Sequence, residues 1–73
     1  MKGVREARLE AHVLALLREE ETLDGLHARL KPLFPRLGKA TLFALLVRLR
    51  REGRVVYREG RFRLAGEAQG QDV

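Results

Sequence analysis

A chain of 73 residues with no cysteine has neither a disulfide nor a thiolate–metal site to staple it, so a leucine-rich core, helped by a partner chain if there is one, must supply the stability. No apolar run approaches the ~20 residues that span a bilayer, and the opening MKGVREARLE lacks the apolar stretch of a secretory signal. The expected location is therefore the cytoplasm, with no membrane partner. The formal net charge of +5 is unevenly distributed: residues 1–35 hold six basic and six acidic side chains, whereas residues 36–63 hold nine basic against two acidic, a local +7. A basic block on one half of a small domain is the electrostatic footprint of a polyanion binder. Twelve of the fifteen basic residues are arginine, and Asn, Ser, Ile and Cys are absent. That composition is expected of a GC-rich genome and of a thermophile, which carries few thermolabile side chains.

The first helix is predicted from about Lys2 to Glu20, with Leu9, Val13, Leu16 and Leu17 recurring at helical spacing as a core stripe. Ala7, Ala11, Leu14 and Ala15 lie off that stripe, which makes the helix apolar over more than one face. Either the core contact is wide, or this second face packs on another copy of the chain, and Ala7, Ala11 and Leu14 are the candidate dimer contacts. The three glutamates 19–21 oppose the helix macrodipole, so the helix should fray or stop there. Thr22 is the expected N-cap of a second helix, with Asp24 in its first turn and Leu23, Leu26, His27 and Leu30 on one face. Gly25 inside it costs about 1 kcal/mol relative to alanine, a cost that close approach to another helix would justify. Pro32 disfavours helical geometry at Lys31 and is expected to end the helix. In the connector KPLFPRLG, Leu33, Phe34 and Leu37 are the residues available to pin it to the core.

A third helix is predicted over Lys39–Glu52, with Gly53 as its stop. Leu42, Leu45, Leu46 and Leu49 form the inward ladder. The opposite side presents Ala40, Ala44, Val47 and Arg51, flanked by Thr41 and Arg48 on one side and Phe43 on the other. RVVYREGRFRLA then reads as a β-hairpin. A turn at Glu59–Gly60 pairs Tyr57 with Phe62 and Val55 with Leu64 on one face, and leaves Val56, Arg58, Arg61 and Arg63 on the other. Glutamate suits a type I′ turn poorly, so a four-residue loop from Arg58 to Arg61 is an equal alternative that keeps the aromatic pair. The final GEAQGQDV is polar and is expected to be a disordered tail, placing the folded domain at residues 1–65.

The expected fold class is thus α+β, mainly α: three helices followed by a basic two-stranded hairpin. In that order, and in the run ATLFALLVRLRREGRV, the sequence resembles the winged helix-turn-helix transcription regulators, most closely the DNA-binding part of PadR-like proteins. HVLALLREEETLDGLHARL is similar to the helices that precede the signature in that group, and the likeness covers about residues 9–65. The resemblance implies that the third helix enters a major groove of double-stranded DNA and that the hairpin lies on the flanking backbone or minor groove. Carried over by position, it assigns Lys39 and Thr41 at the helix N-terminus, Arg48 and Arg51 further along it, and Arg58, Arg61 and Arg63 in the wing. Arg36 and Arg54, which bracket the helix, and the groove-facing Ala40, Ala44 and Val47 complete the candidate DNA-contacting set. Two features depart from the pattern: no counterpart of the C-terminal dimerisation helices of PadR-like proteins is expected within these 73 residues, and the groove-facing positions are apolar.

That apolar strip supports two expectations. Backbone charge can dominate the binding with modest specificity, the small residues touching thymine methyls while arginines clamp phosphates. Alternatively the strip docks a protein, such as a component of the transcription machinery, without DNA. Catalysis is not expected: His12 and His27 are the only histidines, Ser and Cys nucleophiles are absent, and no phosphate loop or metal-ligand spacing occurs. Both histidines read as core or boundary residues. No cofactor is expected. A homodimer is.

Overall fold

The computed structural model describes residues 2–65; the tail expected at 66–73 lies outside the described residues. The elements are α1 (Lys2–Leu16), α2 (Leu23–Leu30), α3 (Lys39–Arg51), β1 (Val55–Arg58) and β2 (Arg61–Leu64). This is the α+β, mainly α order of three helices and an antiparallel hairpin.

α1 is shorter than the sequence predicts. Past Leu16 the backbone bonds lengthen, with Arg18 and Glu19 N–H groups 3.5 and 3.4 Å from the Ala15 and Leu16 carbonyls. The glutamates at this end work against the macrodipole, and a better partner takes the chain over. Glu21 exchanges two backbone bonds with Phe62, at 3.0 and 2.8 Å, and the Leu64 N–H donates to the Leu17 carbonyl at 3.1 Å. The segment after α1 therefore covers the edge of β2 that β1 leaves open, a pairing with no counterpart in the sequence reading.

Thr22 caps α2 as expected, its hydroxyl accepting from the Gly25 N–H at 3.0 Å. Two local expectations fail there. A Cβ on Gly25 would overlap the Glu21 carboxylate, so the glycine makes room for a side chain of the preceding turn and not for another helix. Lys31 keeps helical angles (φ −52, ψ −44) and donates to the His27 carbonyl, despite the proline after it. The helix ends because Pro32 brings no N–H to continue the ladder, and the Leu33 and Phe34 amides both turn back to the Leu30 carbonyl. In the connector Leu37 is buried and Phe34 partly so, but Leu33 stands 59% exposed and pins nothing.

α3 follows its prediction closely. Leu42, Leu45, Leu46 and Leu49 are buried, and Gly53 takes φ +78. The Gly53 and Arg54 amides donate to the Arg50 and Leu49 carbonyls, the paired bonds of a Schellman end that turns the chain straight into the hairpin. The hairpin adopts the two-residue turn, with Glu59 at φ +50 and Gly60 at φ +82, in the register Val55↔Leu64, Val56↔Arg63, Tyr57↔Phe62, Arg58↔Arg61. Both strands keep their alternation across this turn, with Val55 and Phe62 buried and Arg58, Arg61 and Arg63 exposed, and Glu59 takes the left-handed conformation that the first turn position requires. Tyr57 packs on Phe62 with ring centroids 4.7 Å apart.

One core joins Leu9, Val13 and Leu17 of the α1 region to Leu26, Leu30, Leu37, the α3 ladder, Val55 and Phe62. Leu16, expected in the stripe, is only partly buried. Leu14, expected on a separate face, is also partly buried and packs against the same core. The wide-contact account therefore holds for Leu14, while Ala7, Ala11 and Ala15 remain exposed.

Candidate nucleic-acid interface

The nine basic side chains of residues 36–63 divide into two sets. Four are occupied by carboxylates. Lys39, at the start of α3, meets Asp24 of α2 at 2.6 Å, and this hydrogen-bonded ammonium, acting also as a nearby charge, holds the Asp24 carboxyl below its ordinary value. Arg61 lies 3.5 Å from Glu20. Arg48 and Arg54 converge on Glu10 of α1: the Arg48 Nη2 donates to Oε1 at 2.9 Å and the Arg54 Nη1 donates to Oε2. Glu52 backs both guanidinia, 3.6 Å from Arg48 Nε and 3.8 Å from Arg54 Nη1. Two cations facing two anions make this four-residue cluster neutral in itself.

The other five, Arg36, Arg50, Arg51, Arg58 and Arg63, have no carboxylate within 4.0 Å among the described residues, and all are exposed. Arg36 precedes α3, Arg50 and Arg51 close it, and Arg58 and Arg63 project from the hairpin face opposite Tyr57 and Phe62. Sequence reasoning named four of these and missed Arg50, which lies between the core ladder and the outer strip. It also treated Lys39, Arg48, Arg54 and Arg61 as free, because their partners lie far away in the chain.

Between the arginines, the outer side of α3 is as apolar as its sequence implies. Ala40, Thr41 and Ala44 are exposed and Phe43 is 49% exposed. Val47, expected fully outward, is half-buried. Both histidines hydrogen-bond backbone carbonyls. The His27 Nε2 donates to the Leu37 carbonyl at 2.8 Å, tying α2 to the connector, and the His12 Nδ1 donates to the Arg8 carbonyl while its ring meets Phe34 edge-on at 5.4 Å. No group of three or more His, Cys, Asp or Glu side chains that could hold a metal occurs among the described residues, and no described helix is long and apolar enough to cross a membrane. Comparison with protein-family models, with curated proteins and with solved structures finds no match to this chain.

Proposed function

We propose that this chain is a winged-helix domain that binds double-stranded DNA, with α3 in the major groove and the β1–β2 hairpin as a wing on the flanking backbone. The observation that carries the reading is the set of five exposed arginines, without a carboxylate within 4.0 Å among the described residues, distributed over the connector, the end of α3 and one face of the hairpin. Guanidinium groups with no internal carboxylate bind phosphate, and each phosphate neutralised releases condensed counterions. The strip they surround offers no bidentate side chain, so affinity comes chiefly from the backbone and specificity is modest. The role that follows is a small cytoplasmic transcriptional regulator with no catalytic activity and no cofactor. Exposed Ala7 and Ala11 on α1 form its dimer contact, and light scattering that finds only monomer at high concentration removes that element.

A second reading rests on Phe43, a large apolar side chain half in solvent on the same side of α3. In it the strip docks a protein of the transcription machinery and the arginines frame the contact. Val47→Glu separates the two, with binding and association measured beside a melting curve. On the DNA reading, a carboxylate among phosphates abolishes binding to a random duplex and leaves the oligomeric state intact. On the docking reading, the unaltered protein has no duplex binding to lose, and the variant fails to associate with its protein partner. For the unaltered protein, the DNA reading requires random-duplex binding at 50 mM salt that falls steeply by 200 mM. Duplex binding absent at low salt refutes it.

A further inference from the structure

The strip on α3 has a chemical complement inside a major groove. At about 100° per residue, Ala40, Ala44, Val47 and Arg51 fall within an arc of about 60°, and their Cα atoms climb about 16 Å along the helix. Three of the four carry hydrocarbon alone. Of the groups that base pairs display in the major groove, N7, O6 and O4 accept hydrogen bonds and N4 and N6 donate them. An alanine or valine pressed against any of these displaces water and returns nothing. The pyrimidine 5-methyl group is the single exception, since covering it removes apolar surface from water on both sides. Small side chains also let the helix axis approach the base edges closely. The charge around the strip favours a polyanionic occupant over an apolar protein groove: Arg51 lies on the same face one turn beyond Val47, and Arg50 adjoins it with no carboxylate partner among the described residues.

We infer that Ala40, Ala44 and Val47 read thymine, through its 5-methyl group, and that the protein prefers A·T-rich duplex on that account. Thymine is the base that carries this methyl in unmodified DNA. The inference rests on the DNA-binding reading and adds a base preference to it. Thr41, beside the strip, supplies a hydroxyl that can accompany either member of the pair and does not compete with the methyl contact. Each methyl buried is worth about a fourfold gain in affinity, so one or two contacts give a preference of about four- to fifteenfold.

The test compares duplexes of one A·T-rich sequence made with thymine or with uracil, which keep the same phosphates and hydrogen-bonding edges and differ by the methyl. The full chain should bind the thymine duplex about four- to fifteenfold more tightly, with equal slopes of log K against log salt. A G·C duplex carrying 5-methylcytosine should gain over its unmethylated form, because the methyl occupies the same place in the groove. Ala44→Ser should narrow the thymine–uracil ratio while leaving the salt slope unchanged. Equal affinity for the thymine and uracil duplexes, with salt-dependent binding intact, overturns methyl readout and leaves the DNA reading standing. A gain at 5-methylcytosine alone overturns the assignment to thymine. Failure to bind any duplex at low salt removes the DNA reading and this inference with it.

Discussion

Replacing Glu10 by glutamine tests how the fold divides its arginines between itself and a polyanion. The Glu10 side chain is 19% exposed and is the shared acceptor for Arg48 and Arg54, which are 43% and 47% exposed. Glutamine keeps the shape but replaces one acceptor oxygen with an N–H₂ group that faces a guanidinium. Each charge-assisted arm at a half-exposed site is worth about 0.5–1 kcal/mol after solvent screening, and Glu52 remains as a weaker second acceptor. The expected destabilisation is therefore about 1 kcal/mol, or a fall in Tm of about 4–8 °C for a domain of this size. The fall should shrink in 0.5 M salt, since the arms are partly exposed. Duplex binding should move the other way. Each guanidinium freed to meet a phosphate steepens the slope of log K against log salt by about 0.9, so the two together give up to about 1.8. Calorimetric melting at low and high salt and a binding titration at several salt concentrations measure both effects. An unchanged Tm at low salt refutes the Glu10 network, and a shallower salt slope in the variant refutes the idea that Glu10 withholds these arginines from DNA.

The wing bears on the same balance. Alanine at Arg58, Arg61 and Arg63 should lower the salt slope by about 1.8, with Arg58 and Arg63 each accounting for about 0.9 and Arg61, already beside Glu20, for little; titrations with the single variants check the split. Glu59→Asn should stabilise the domain by about 0.5–1 kcal/mol, because asparagine tolerates the positive φ of a type I′ turn better than glutamate does, and a melting curve that fails to rise counts against the turn geometry. For Asp24 the folded carboxyl titrates below its ordinary value of 3.8, so its contribution is present above that value and is lost as pH falls through the folded one. The stability gap between the protein and Asp24→Asn should accordingly be small but present at neutral pH and low salt, and should close on acidification, as denaturant melts at stepped pH will show.

The local decisions were legible along the chain because local physics makes them. The i, i+3, i+4, i+7 ladder of Leu42 to Leu49, the hydroxyl of Thr22 before a helical run, the glycine after Arg51 and Glu52, and the alternation of Val55, Tyr57, Phe62 and Leu64 each act within a few residues. The hairpin register followed from period two, while the choice between a two-residue turn and a four-residue loop, which share that register, was open until the fold placed Glu59 at φ +50. What the tertiary structure decided are the matters that depend on who arrives opposite. The backbone pairing of Glu21 with Phe62 uses N–H and C=O groups that every residue possesses, so no side-chain pattern announces it. Leu14 and Leu33 are equally apolar in sequence, yet one reaches the core and the other faces solvent, because the room left by neighbouring elements differs. The same holds for charge: Glu10 meets Arg48 and Arg54 across 38 and 44 residues of chain. A count of basic residues locates the positive half of the domain. Only the folded arrangement of carboxylates determines which arginines remain for a phosphate.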